Sequence, residues 1–482
     1  MSAAVARVRG AFGIGPRLGW LIAIALIALV PLSVAFAARS DRLQLLVVAA
    51  AGTLALLVSL RWPTMPLYAF AGLIPIESIL LIGNLGTMSK FAGLLFMVAY
   101  GVPRLGRLTL SAMPLAAWGF MAWALLSLGW ALDSDTAWGE LSTLLQLFVI
   151  ALLVADIVAH RPEVVRPLLW VYSISAAITG FLGILSFVGS GGAFGGRAVG
   201  LDNQDPAQFA VVLLPALVFS FFEILNGRLL MVSVPVALLT LGGVVVSGTR
   251  GAWLAVAIVV FVFMLPRLDA KKRISAVVLT GLLVLVTLQL PGVGEMVAQR
   301  TDTAVSSGGA GRSDIWTVAV KIYEEAPLLG VGFANFPVAY TADLVRASNV
   351  GTYSINNPQG RGSHSILIAT ITELGPVGFL LLVAFLMPLV LRRGWGPDAL
   401  VVQACLASLM TSAMFLDVLS NRKQVWLIIG VAAGLAYLAR ARAAPDVEPV
   451  AVGADPVRVG TASRPAATPR WSDPRPEPGS SA

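Results

Sequence analysis

Gly311–Pro337, GRSDIWTVAVKIYEEAPLLGVGFANFP, and Asn356–Ser365, NNPQGRGSHS, lie in the one long polar interval of this chain. That interval runs from about Pro291 to His364, roughly 70 residues, far beyond ordinary connection lengths. On both sides the sequence is a succession of apolar runs, so the interval reads as a large loop held by a membrane-embedded bundle. Within it, Ser313 to Ala326 has helical spacing. Ile315, Trp316, Ala319, Val320, Ile322 and Tyr323 form an apolar face opposite Asp314, Thr317, Lys321, Glu324 and Glu325. Ser313 is the expected N-cap and Pro327 the stop. Arg312 then stands at the helix entrance, where unpaired backbone N–H groups favour an anion. A guanidinium there suits phosphate or diphosphate, although an arginine bonded to loop carbonyls would occupy the same position.

Composition agrees with a membrane setting. The chain has 482 residues, 57% hydrophobic and only 12% charged, with a mean hydropathy of +0.86, which no soluble domain of this length shows. The single cysteine, Cys405, excludes disulfides and cysteine-rich metal sites, and His160 and His364 alone cannot build a multi-histidine zinc site. The net charge of +8 is spread over short loops, a topology signal and not a nucleic-acid footprint. The expected fold is an all-α polytopic membrane protein of about 12–14 transmembrane helices, with one large outward loop containing short helices. Spans are expected to start near Gly19, Leu43, Met65, Phe91, Leu110, Glu140, Pro167, Ala207, Leu229, Gly251, Ser275, Ser365, Ala399 and Val425.

With the N-terminus in the cytoplasm, alternate loops collect Arg7, Arg61, Arg104, Arg107, Arg161, Arg166, Arg228, Arg267, Lys271–Arg273 and Arg392, the positive-inside pattern. Both termini are thus expected inside and the long loop outside. The resulting division is 1–18 cytoplasmic, 19–291 membrane bundle, 292–364 outward loop, 365–438 terminal membrane helices and 439–482 a polar cytoplasmic tail.

This topology gathers polar features on the outer face. SGTRG ends a span and puts Arg250 there, unless that arginine merely snorkels. GGRAVGLDNQDPAQ supplies Arg197 and Asn203, the long loop supplies Arg312, and His364 enters the next span. Two arginines from different segments beside one histidine suit chemistry with a phosphate leaving group: the cations hold the departing diphosphate and the imidazole takes a proton from an attacking hydroxyl. Lys90 is a further phosphate-binding candidate. Glu373, about two and a half turns past His364, is expected on nearly the opposite helix face, in helix packing or in function. The aspartates of DSD, Asp133 and Asp135, could hold a divalent ion, but a plain acidic turn accounts for them as well.

The run GRSDIW, then APLLGVGFANF, then SHS and ELGPVG resembles the signature of the O-antigen ligase/O-antigen polymerase family, integral membrane glycosyltransferases with a large outward loop late in the chain. The resemblance implies that Arg250 and Arg312 bind a lipid diphosphate and that His364 assists the acceptor hydroxyl. It also implies a family element at Glu373, Gly375 and Gly378. Ser365 stands where the family often has asparagine after the histidine. The donor implied is a polyprenyl-diphosphate-linked glycan and the acceptor a glycan, lipid or protein. Membrane lipids and other polysaccharide-assembly proteins are the remaining partners, with no nucleic acid, no cofactor and no metal. The implied place is the cytoplasmic (inner) membrane. Ligase, polymerase and protein O-glycosylation activities share these motifs. The rival class is a multi-pass transporter, whose sites sit near the bilayer midplane, where this chain shows few charges beyond Glu77, Glu223 and Glu373.

Overall fold

The computed structural model describes residues 55–77, 87–190, 198, 205–289, 292–306, 312–348, 350, 361–392, 398–416 and 421–443. The chain divides into two units, Met1–Ala441 and Arg442–Ala482, and the bundle belongs to the first. The protein is all-helical, with no strand among the described residues. In order the main helices are α1 Met65–Leu73, α2 Met88–Phe96, α3 Leu115–Leu126, α4 Ser134–His160, α5 Val165–Ser190, α6 Pro206–Leu225, α7 Leu230–Val246, α8 Arg250–Ala257, α9 Ala270–Leu288, α10 Val293–Ser306, α11 Arg312–Glu325, α12 Phe336–Ala339, α13 Ala342–Ala347, α14 Ile366–Leu391, α15 Ala399–Ala413 and α16 Lys423–Ala443.

Six described helices are long and apolar enough to cross a membrane, and shorter apolar helices cover Leu115–Gly129, Leu230–Val246 and Ala399–Ala413. The bent pair α9 and Val293–Gln299 would make a seventh span. The run expected from Gly19, most of that from Leu43, and the tail beyond Ala443 lie outside the described residues.

Two features of the sequence explain the packing. Gly430 and Gly434 of α16, four residues apart, let that helix meet α4 backbone to backbone. A Cβ at these positions would stand 2.6 Å from the Ala151 carbonyl oxygen and 2.7 Å from that of Ala155. Small residues at this spacing give close helix contact where lipid and side chain are equally apolar. Around the same helix, fully buried Trp426 meets the Phe148 and Phe385 rings, with centroids 6.0 and 6.2 Å away.

Helix ends fall on two faces. On the loop face, Thr249 Oγ1 donates to the Pro206 carbonyl (3.1 Å), Ala198 N to the Val246 carbonyl (2.8 Å) and Leu132 N to the Val331 carbonyl (3.2 Å). On the opposite face Arg166 pairs with Asp398 (2.8 Å) and Glu223 (3.5 Å), and Lys272 reaches Asn226 (2.8 Å).

The long loop has its own small core: Ile315, Val318, Ala319 and Ile322 of α11 pack with Val331, Phe336, Ala339, Tyr340 and Val345. This corrects the expected helix in two details. Val318 is buried while Val320 is 55% exposed, because α11 turns its a/d-like stripe one residue from the reading above. The helix also begins at Arg312, so Ser313 lies in its first turn and not at its cap.

Candidate functional site

Four helix ends carry a cationic cluster on the loop face. The first is the start of α8. Ser247 Oγ donates to the Val244 carbonyl (2.7 Å) and accepts Thr249 N–H (3.1 Å). Gly248 takes a left-handed φ of 61°, and Thr249 is the extended N-cap. SGT is therefore a tight reversal between α7 and α8, and it places Arg250 in the first turn of α8. Trp253 closes the corner with a bond from Nε1 to the Val244 carbonyl (3.1 Å).

Phe415, just past α15, joins this corner to the loop. A Cβ built on Gly251 would stand 3.1 Å from Cβ of Phe415, and the Arg312 guanidinium lies over the Phe415 ring, 5.8 Å from its centroid. A cation over an aromatic face is held without a carboxylate that would cancel its charge. From Arg312 the helix leads on to the histidine: Trp316 Nε1 donates to the Ser363 carbonyl (3.2 Å).

His364 is presented by a strained turn. Its φ is 51°, a left-handed value costly for a side chain with a Cβ. Ser363 Oγ donates to the Ser365 carbonyl (3.0 Å) and accepts Ser365 N–H (3.3 Å), bracketing the histidine from both sides. Ser365 is the N-cap of α14 by position, without a capping side-chain bond. Local hydrogen bonding thus rests on the serine before the histidine, not on the residue after it. The ring is reachable by solvent but stands among enough protein that burial is the largest influence on its proton affinity.

Electrostatics binds these pieces together. Burial, then Arg250, pull the Arg312 pKa below its usual value, and Asp205 opposes them. Burial, then Arg312, hold the His364 pKa below the ordinary histidine value, with Asp205 opposing and Arg361 adding to the depression. Arg250, Arg312 and His364 are therefore within electrostatic reach of one another in a chain, with Arg361 beside them. Among the described residues neither Arg250 nor Arg312 forms an ion pair. Neighbouring arginines that no ion pair holds are suited to receive an anion.

The other sequence candidates fall elsewhere. Arg197 and Asn203 lie outside the described residues. Lys90 is exposed and acts on Lys423, which pairs with Glu77; it is not among the charges that influence Arg312 or His364. Glu373 does not face His364. Its carboxylate accepts Ala334 N–H (2.9 Å) and Phe336 N–H (3.1 Å), while its own carbonyl accepts Gly332 N–H (2.9 Å). Gly375, at φ 65° and ψ −170°, breaks α14 at this level, and a Cβ there would collide with the Leu328 carbonyl. ELGP is thus a gap in a membrane helix into which LLGVGFANF is threaded, and Glu373 staples the two. Asp133 caps α4, accepting Asp135 N–H (3.0 Å), Thr136 N–H (3.3 Å) and Thr136 Oγ1 (2.7 Å). Those bonds hold its carboxyl below the usual range. Among the described residues no three His, Cys, Asp or Glu side chains are grouped to hold a metal ion.

Residues 235–383 match the family model of O-antigen ligase. The matched segment, under a third of the chain, runs from α7 past the break in α14 and encloses Arg250, Arg312, His364 and Glu373. Together with the six apolar helices, this similarity supports, at a coarse level, a multi-pass membrane protein that processes glycans. Comparison with curated proteins finds no match. Two residues that bear on the cluster, Asp205 and Phe415, lie outside the matched segment, and sequence reasoning missed both. Asp205 before Pro206 is legible as a helix cap, but nothing local reveals that its charge acts on the histidine. Phe415 carries no sequence signal at all.

Proposed function

We propose that the protein transfers a glycan from a polyprenyl-diphosphate carrier to an acceptor hydroxyl at the outer face of the cytoplasmic membrane. The observation that carries this reading is the gathering of Arg250, Arg312 and His364 on one face, where neither arginine forms an ion pair among the described residues. Arg250 and Arg312 would hold the diphosphate. His364, kept neutral near pH 7 by burial and the neighbouring cations, would accept the proton of the acceptor hydroxyl. The acceptor oxygen then bonds to the anomeric carbon as the bond from that carbon to the diphosphate oxygen breaks. Polyprenyl diphosphate departs with the electron pair, and the proton stays on His364 until solvent removes it. A diphosphate is a good leaving group, so the scheme asks no strong acid of the protein.

The orientation belongs to the same proposal. The face opposite the loop carries Arg104, Arg161, Arg166, Arg228, Arg267, Lys272 and Arg273, a concentration of basic residues that supports a cytoplasmic placement of that face. The loop, 292–364, would then be the outward catalytic region.

Purified protein, a polyprenyl-diphosphate-linked oligosaccharide and an acceptor glycan give the test. Arg250→Ala and Arg312→Ala should each weaken donor binding and remove most transfer, and Lys at either position should restore only part, for want of the bidentate fork. His364→Ala should bind donor normally and slow transfer by roughly 10²–10⁴-fold. Unaltered transfer in all three Ala variants would sink the reading.

A further inference from the structure

We infer that a recess on the face opposite the long loop binds a phospholipid with an anionic headgroup, its phosphate on Arg440 and an acyl chain along Leu115 and Trp118. The inference goes beyond the transferase reading and needs only that the bundle spans a membrane.

The segment joining α2 to α3 builds the recess. Buried Asp156 of α4 holds that segment, accepting Arg104 Nε (3.0 Å) and Thr109 N–H (2.8 Å). Ala112 and Met113 then enter the core, which leaves Leu110 and Ser111 on the outside. Two hydrogen bonds fix the walls. Trp118 Nε1 of α3 donates to the Leu110 carbonyl (3.4 Å), and Arg440 Nη2 of α16 donates to the Ser111 carbonyl (3.3 Å). Phe148 braces Trp118 edge to face, with ring centroids 5.0 Å apart. Leu110, Ser111, Leu115, Trp118 and Arg440 line an open recess of about 780 Å³, within the range of about 300–1,000 Å³ usual for small-molecule sites.

Two chemistries meet in this recess. One wall is apolar, with Leu115 86% and Leu110 53% exposed, which suits hydrocarbon and not water. The other end is cationic. Arg440 is exposed, is the one charged residue of the lining, and forms no ion pair among the described residues. Its bond to a neutral carbonyl leaves the charge uncompensated and most of the guanidinium donors available to phosphate. Arg107, earlier in the same segment, is also exposed and adds a second cation there. Free phosphate would use the cation and leave the apolar wall bare. A zwitterionic lipid would cover the wall but bring a cation of its own. An anionic phospholipid satisfies both parts, and basic pockets at the ends of membrane helices hold such headgroups. An indole such as that of Trp118 is at home at headgroup level.

Full-length protein in a neutral detergent gives the test, titrated with dioleoylphosphatidylglycerol, dioleoylphosphatidylcholine or inorganic phosphate. The readouts are thermal unfolding and the lipid retained in native mass spectrometry. Phosphatidylglycerol should raise the unfolding temperature saturably and stay bound, and the other two should do neither. Arg440→Gln should weaken phosphatidylglycerol binding roughly fivefold, the worth of one basic residue at an anionic headgroup, and Arg440→Lys should keep part of it. Ser111→Glu, at an exposed position, gives Arg440 a carboxylate partner and should weaken binding as much without loss of fold. Arg392→Gln makes the same charge change at an exposed site on the same face outside the recess, and should leave binding unaltered. Equal stabilisation by phosphatidylcholine or by phosphate would overturn the inference. So would equal effects of Arg440→Gln and Arg392→Gln, which would make Arg440 an anchor at the membrane edge. None of these variants touches Arg250, Arg312 or His364, so the transferase reading stands or falls separately.

Discussion

The two faces of the bundle are both rich in charge, and they use it in opposite ways. On the face away from the loop the charges satisfy one another. Asp156, fully buried in α4, accepts the Tyr100 hydroxyl (2.7 Å), Arg104 Nε (3.0 Å) and Thr109 N–H (2.8 Å). Arg166 bridges Asp398 and Glu223, which Arg228 also approaches at 4.0 Å. Each such cluster fastens one helix end to another. On the loop face Arg312 and Arg361 act on His364, Arg250 acts on Arg312 in turn, and Asp205 is the one acid named among these influences. Self-paired charges lower the energy of the fold alone. Like charges held together raise it, and are stabilised when an anion arrives. The comparison separates residues that hold the protein from those the proposed function assigns to a substrate.

The largest expected effect would break that contrast if it failed. Arg312→Glu should abolish transfer while leaving the protein assembled in the membrane, since Arg312 is stacked on Phe415 and tied into no ion pair among the described residues. Arg166→Glu should do the reverse, repelling Asp398 and Glu223 and lowering the amount of folded protein. The readouts are glycan transfer per folded molecule and recovery from detergent as a monodisperse species. If Arg312→Glu also fails to assemble, the cationic cluster is structural.

Asp156→Ala comes next. It leaves the Tyr100 hydroxyl, Arg104 and an amide without their acceptor inside the bundle, a loss of about 3–5 kcal/mol by the cost of breaking a buried pair. Thermal unfolding in detergent should register this, with kcat of the surviving folded fraction unchanged. Glu373→Gln sharpens the comparison on the loop face itself. Its carboxylate serves two amides of the threaded loop, so one bond weakens and one becomes dependent on amide orientation, at about 1–3 kcal/mol. Protease sensitivity of the 328–336 region should rise more than transfer falls; an equal collapse of both would place Glu373 in the chemistry.

The smallest effect is in pH. The His364 pKa is depressed in the free protein, so the neutral base persists below the ordinary histidine value of about 6.5, and activity falls only as pH drops through the depressed value. Bound diphosphate adds negative charge nearby and raises that pKa. The acid limb of kcat, which reports the donor complex, should therefore lie at higher pH than that of kcat/KM, which reports the free enzyme. Coincident limbs would remove His364 from the titration.

The sequence alone determined the class of fold, since long apolar runs without charge can only be membrane helices, and hydropathy depends on composition and not on partners. It also determined which polar residues stand at helix ends. Arg250, Arg312 and His364 were legible for that reason, each beside a local turn or cap signal, as was the helical period of α11 with a one-residue error in its buried stripe. It did not show what each end meets. Asp156 lies inside the apolar run LLVADIVAH, and only the packing of α4 beside Tyr100 and Arg104 explains how its charge is tolerated. Glu373 was legible as an unusual acid in a span, but its duty as a staple depends on a loop some forty residues earlier passing through a helix break. Asp205 reads locally as a cap, and only the packing, with Thr249 Oγ1 bonded to the Pro206 carbonyl, brings the start of α6 to the start of α8. Tertiary structure decided these matters, because an ion's function is set by the charges around it, and here those charges come from helices far apart in the chain.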